Sequence, residues 1–317
     1  MPNICSPPLP LTFNVRSARR LLGAWFAAIA FPLAAGATPL LGSDLATFSV
    51  LGASSVTNVG TSVIGRNVGV WQSGGTNAIT GFNSSPGVPV SDPQVGGLVH
   101  AGTTTGTPNA RQAQFELTTA RLGLSSLGPG TVLGSSDLVG LTLLPGVYTV
   151  HAGITNLSGV LRLDGGGNAN AAWVFQMDSS LITSVDAMVD IFNTGAGAGV
   201  YWNVASSATL GADTAFLGNI LALASISMGT GATDLCGRAL ANTAALSLQR
   251  NRLTSSCTGM LAGSDGLSGG LDVVGGVVSF LPPAAVVPTA APEPGSLALV
   301  GLALGGLAWS RRRGLVS

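Results

Sequence analysis

The sequence has no lysine and only two glutamates: its 13 cations are all arginine, and 11 of its 13 acids are aspartate. Charged residues make up 8% of the 317 and aromatics 5%. Exposed helix faces draw on Glu, Lys, Leu and Ala, so a helical bundle is excluded. The lack of any basic stripe excludes a nucleic-acid partner. Disorder is excluded by the 46% hydrophobic content at so little charge. Chemistry is poorly supplied too. His100 and His151 are far apart with no partner spacing, which supports neither a metal site nor a triad, and each reads as a structural, hydrogen-bonded histidine. The glycine runs 165–167 and 195–199 lack the helix and Lys-Ser/Thr of a phosphate loop and read as corners. No catalytic residue, metal or cofactor is assigned.

What the chain does have is 46 Gly among Val, Ser, Thr and Asn. From residue 38 to about 90 come short apolar runs such as FSVLG (48–52), SVIG (62–65) and NVGVW (67–71). Each is too short for a helix and rich in β-branched residues, so each reads as a strand. A Pro-rich stretch, 86–93, interrupts them. Residues 109–127 differ. Ala113, Leu117, Ala120, Leu124 and Leu127 recur at spacings of 4, 3, 4 and 3, one apolar stripe along a helix. Asn109 can cap its start and Gly128-Pro129-Gly130 ends it. A lone amphipathic helix must bury that stripe against a sheet.

Strands resume at 138 and run to about 254. Anchoring on Leu210, Met228 and Leu248 gives a loose repeat with spacings of 18 and 20 residues. A period near 20 with Gly and Asn at the corners points to a β-solenoid, whose strands stack about 4.8 Å apart. A β-sandwich of short strands is the alternative. Trp173, Phe175, Tyr201 and Trp202 alternate with small residues and read as core.

The two ends differ from the middle. Residues 1–37 read as a secretory signal: Arg16, Arg19 and Arg20, an apolar core over 21–33, and the Ala35-Gly36-Ala37 cleavage site. Residues 38–258 form the domain, 259–291 a flexible Gly/Ser/Ala/Val/Pro linker, and 292–317 a tail. Between the two ends, 38–291 hold 12 acids and 7 arginines, a net charge of −5. The tail carries Pro292-Glu293-Pro294, a 14-residue apolar or small run over 296–309, and Arg311, Arg312 and Arg313. It resembles the bacterial Pro-Glu-Pro C-terminal sorting signal. That resemblance implies a Gram-negative envelope, processing by an exosortase-type protease and transient membrane association. The run is shorter than the roughly 20 residues of a stable transmembrane span. Its basic stop places that end on the cytoplasmic side. Location is therefore the envelope, cell surface or exterior.

Cys5 lies in the leader, which leaves Cys236 and Cys257. An even pair in an exported protein favours a disulfide, with about 3 kcal/mol from closing a loop of about 20 residues; two buried thiols are the alternative.

Several runs resemble the ice-binding and ice-binding-like proteins: LGASSVTNVGTSVIGRNVGV (51–70), HAGTTTG (100–106) with the helix, LTLLPGVYTV (141–150), WVFQMDSSLIT (173–183) and the long run 200–248. The resemblance covers about 215 residues in order. It implies a mainly β fold, an irregular right-handed β-solenoid with one long α-helix packed alongside, and adsorption to an ice crystal surface. Binding a crystal plane needs a flat, rigid face of small hydroxyls and methyls, without charges that hold water in other geometries.

The candidate ice-binding positions sit at matching corners: Thr183, Ser184 and Ala187, then Ala212 and Thr214, then Thr230 and Thr233. Stacked, they place Thr233 beside Thr214 and Ala187. Thr230-Gly231-Ala232-Thr233 is similar to the Thr-Gly-x-Thr arrangement of some relatives. Asp186, Asp190, Asp213 and Asp234 bring carboxylates on or beside this face. The competing reading is a non-catalytic structural or adhesive protein of the envelope or matrix.

Overall fold

A computed structural model describes residues 38–286 except Gly74 and Thr76. It is mainly β, with one long helix, α1, at Ala110–Ser125. Short strands follow one another along the chain, and most pair in parallel with a strand one repeat of the chain later. The repeat anchors meet as the spacing predicts: Leu210 stands directly opposite Met228.

The stack has three faces. The first is the continuous path of the 14-stranded sheet, including Ala172–Met177, Gly199–Val204 and Phe48–Gly52. The second is the separate seven-stranded sheet, from Ile154–Leu157 through Ser180–Thr183, Ala208–Leu210, Ile226–Met228, Leu246–Gln249 and Val56–Val59 to Ile79–Thr80. The third branches from the first where Ala215–Ala222 and Thr233–Ala241 turn a corner at a bulge between Phe216 and Gly218. It runs through Thr142–Leu143, Val160–Asn168, Met188–Thr194, the first residues of the two cornering strands, Arg252–Leu253 and Val63–Ile64.

The chain enters this stack in its middle. Phe48–Gly52 pairs with Thr233–Ala241 on one side and Asn67–Val70 on the other, so the first turns lie against the last. From Val99–Ala101, at one end of the path, α1 carries the chain back along the first face, and residues 131–253 rebuild toward the start. At 1.5 Å per residue its 16 residues span about 24 Å, about five strand spacings. The predicted stripe is buried: Ala113, Leu117, Ala120 and Leu124 pack on Leu51, Leu221, Leu240, Tyr201 and Val174, and Leu127 completes the contact. Asn109 Oδ1 accepts the Gln112 amide at 2.8 Å, the predicted cap. With α1 on its outer side, Gly199–Val204 is buried at every residue, whereas Ile226–Met228 on the bare second face alternates.

Inside the stack Phe175, Trp202 and Phe216 form a column with ring centroids 4.1 and 4.8 Å apart, and Tyr148 extends it at 5.9 Å. The aromatics expected in the core are there. Cys236 and Cys257 are joined, Cα to Cα 4.9 Å, tying the third-face corner to the segment after the last turn.

The linker expected over 259–291 is corrected for its described part. Residues 259–286 fold back on the domain through Gly259–Leu261 and an antiparallel hairpin, Leu271–Val274 with Val277–Phe280. Leu261, Leu267, Leu271 and Val278 are buried. Composition misleads here because two β-branched pairs flank Gly275-Gly276, whose φ values of 59° and 83° make a tight hairpin turn. Arg238, fully buried, bolts this return in place: it donates to the Ala46 carbonyl at 2.9 Å, Asp265 Oδ1 at 3.1 Å and Asn219 Oδ1 at 2.9 Å. The expected signal sequence over 1–37, the apolar run 296–309 and the Pro-Glu-Pro tail lie outside the described residues. Among the described residues, no helix is long and apolar enough to cross a membrane.

Candidate functional site

The two uncovered faces are the surfaces left for a flat partner, and they differ in chemistry. On the second face the outward residues form a hydroxyl rank. Register aligns Thr209, Ser227, Ser247, Thr57 and Thr80 in successive turns. These hydroxyls bond one another: Ser247 Oγ donates to Ser227 Oγ at 3.1 Å, and Thr80 Oγ1 to Thr57 Oγ1 at 3.3 Å. Beside them Ser207 and Ser225 are 2.9 Å apart. Part of this face's hydrogen-bonding capacity is thus spent within the protein.

The third face carries a different rank. Val160, Met188, Ala215, Thr233, Arg252 and Val63 stand opposite one another, turn by turn. Val160, Met188 and Val63 are exposed, as is Leu235 two residues beyond Thr233. Three of its charged groups are Arg162 and Asp190, 3.8 Å apart, with Asp190 two residues beyond Met188 on the same strand, and Arg252 opposite Thr233. Met188, Ala215 and Thr233 themselves carry no charge.

The corner residues named from sequence divide between inside and outside. Thr233 stands beside Ala215, and Ala215 beside Met188, so Thr214 and Ala187 are one residue out of the expected register. A one-residue slip sends a side chain to the opposite side of the sheet. Thr214 and Ala187 accordingly point inward and are fully buried, and Thr183, also buried, shares a 2.8 Å hydrogen bond with Thr214. These three cannot touch ice. Ser184 and Thr230 are exposed, Ala212 and Thr233 half-buried, and Thr230 Oγ1 donates to Gln249 at 3.1 Å. Aligning the chain at its corners hides the third-face rank, whose signal is the outward position two residues before each of Leu217 and Leu235.

The aspartates divide as well. Asp186 and Asp213 occupy turn positions with φ near +55°, and Asp190 reaches the third face. Asp234 does not: it is fully buried, and neither carboxylate oxygen has a hydrogen-bond partner among the described residues. Burial pushes its carboxyl well above the usual range, offset in part by nearby backbone amides and Arg238.

The histidines fill no catalytic arrangement. His100 is buried edge-on to Phe48, with Nδ1 3.5 Å from Thr103 Oγ1, and burial lowers its pKa against the pull of Asp44. His151 pairs on the surface with Asp178 at 2.6 Å. Among the described residues, no cluster of His, Cys, Asp or Glu could hold a metal ion.

Comparison with known proteins gives the family and the fold. Residues 50–254 match the family model described as ice-binding-like, and 290–313 match the PEP-CTERM protein-sorting motif. An ice-binding protein of Nostoc sp. is 42% identical over 210 residues, covering 66% of this chain and 72% of its own. The crystal structure of an ice binding protein from an Antarctic biological consortium superposes with a TM-score of 0.59 at 33% identity, covering 68% of this chain and 91% of that one. That of an ice-binding protein from the ascomycete Antarctomyces psychrotrophicus gives 0.57 at 31%, covering 70% and 100%. The chain belongs to the ice-binding-like family.

Proposed function

We propose that this protein is a non-catalytic, exported ice-binding protein that adsorbs to ice through the third face of an irregular right-handed β-solenoid and slows ice growth or recrystallisation. The observation that carries the choice of face is its run of outward apolar and small side chains, Val160, Met188, Ala215 and Thr233, one per turn at about 4.8 Å, with Val160 and Met188 exposed. Contiguous exposed apolar groups mark an interaction surface, and a crystal of water is a flat partner that demands no opposite charge. Methyl groups at fixed spacing order the water between them, while Thr233 supplies a hydroxyl. Hydroxyls of the second face that bond one another are less free to anchor such a layer. Rigidity comes from the packed column behind the strands and from α1 across the first face.

The sorting motif supports export and processing near Pro292–Pro294 by an exosortase-type protease, with the apolar stretch 296–309 holding the unprocessed chain at the membrane. Ser184, Ala212 and Thr230 border the ice face; Thr183, Ala187 and Thr214 support it from within.

The test compares ice-crystal shaping and recrystallisation by the exported chain with two double variants. Ala215→Tyr with Thr233→Tyr obstructs the third face; Thr209→Tyr with Ser227→Tyr obstructs the second. Faceted crystals lost only in the first variant, at unchanged melting temperature, are expected. Loss only in the second would move ice binding to the hydroxyl face. Round, freely growing crystals with the unaltered chain would end the ice reading and leave a rigid envelope spacer.

A further inference from the structure

The hairpin that closes the described chain has an apolar tip that the ice face does not use. Val274 and Val277 are cross-strand partners at the Gly275-Gly276 turn, 46% and 65% exposed. Leu122, on α1, is 68% exposed and lines a groove of about 290 Å³ together with Val273, Gly276 and Val278. The inward pair, Val273 and Val278, seats the hairpin on α1, and Gly123 leaves room for it: a Cβ there would come within 2.7 Å of Val278 Cγ2. On the outward side the next cross-strand pair is Asp272 and Ser279, so the apolar area stops at the tip.

What lies near that tip follows from where the chain goes next. The described residues end at Val286, whose amide donates to the Gly167 carbonyl. Ten residues later the apolar stretch 296–309 begins, closed by Arg311–Arg313. Ten extended residues reach at most about 35 Å. A bilayer that holds the stretch therefore lies within reach of the domain and its hairpin.

We propose that Val274, Val277 and Leu122 form a wedge that enters the acyl region of the lipid bilayer while the tail tethers the chain. The proposal rests on the tethering reading above. The three side chains are apolar and bring no basic group with them, so the wedge takes hydrocarbon rather than an anionic headgroup. Stable membrane attachment requires two signals, and the tip alone is the weaker one. The tethered domain is thereby held in one orientation until processing near the sorting motif releases it.

The experiment uses the chain from residue 38 to 317 and vesicles of phosphatidylethanolamine and phosphatidylglycerol containing an acyl-chain quencher. A fluorophore is attached at Val277→Cys or, as the reference, at Val63→Cys on the third face. The expected result is flotation of both proteins with vesicles and quenching at least several-fold stronger at position 277, unaffected by raising the salt. Flotation with equal quenching at the two positions overturns the wedge and leaves the tether. Failure to float overturns both. A concentration-dependent blue shift at 277 without vesicles overturns the lipid assignment in favour of a second copy of the chain.

Discussion

The covered first face and the bare third face share two strands: Ala215–Ala222 and Thr233–Ala241 each begin on the third face and end on the first. Their backbone pairing is parallel on both sides of the bulge, and their inward residues enter one core. What differs is the outer side. Leu221 and Leu240 lie fully buried beneath α1, while Ala215 and Thr233 look out at solvent. Stability and function are thus divided along single strands, and the division can be broken at each end.

The largest effect is expected in the shared core. Trp202→Ala empties the aromatic column and costs about 3–5 kcal/mol, and Leu240→Ala on the covered face costs about 2–5 kcal/mol, read from urea unfolding. Replacing both Cys236 and Cys257 with Ser lowers stability by about 3 kcal/mol, the value for a loop of this size. If Leu240→Ala cost no more than a surface substitution, α1 would not be covering that face.

Asp234 sharpens the comparison through pH. It sits where the strand leaves the third face, with its carboxyl pKa raised by burial. In the unfolded chain an aspartate titrates near 4. The folded state therefore holds its proton over a window in which the unfolded state has lost it, and stability falls as pH rises from about 4 through the raised folded value. Asp234→Asn removes this slope: its melting temperature between pH 5 and 9 should decline less than that of the unaltered chain. Parallel declines would show that the carboxyl is ionised in the folded protein. A smaller change is expected at the helix start, where Asn109→Ala removes the cap and costs about 1 kcal/mol without altering ice shaping.

How legible was this division in the sequence? The helix was nearly so, because its stripe and cap depend on local spacing and are in place, while its last turn ends at Ser125, short of the expected 127. The turn repeat was legible from Leu210 and Met228, whose burial enforces their register. The outward surface was not. Choosing Thr214 as the neighbour of Thr233 was a one-residue error, invisible at the corner and decisive on the strand, since period-two geometry reverses the side chain. Asp234 reads as a surface carboxylate for the same reason. Arg238 does carry a signal: it is the lone charge in the apolar run 235–241, and a lone charge amid buried residues implies partners waiting for it. The hairpin at 271–280 was hidden by composition: small residues read as a linker, while Gly275-Gly276 between two valine pairs carried the turn.

The most direct test of the division is to freeze the protein slowly onto an ice hemisphere and measure the fraction incorporated, with thermal unfolding on the same samples. The variant is Met188→Asp, a charge at the centre of the bare rank. Its side chain is exposed, so stability should change by no more than about 0.5 kcal/mol. The fraction in ice should fall to that of an inert protein. Undiminished incorporation by a stably folded Met188→Asp variant would contradict the assignment of ice binding to the third face.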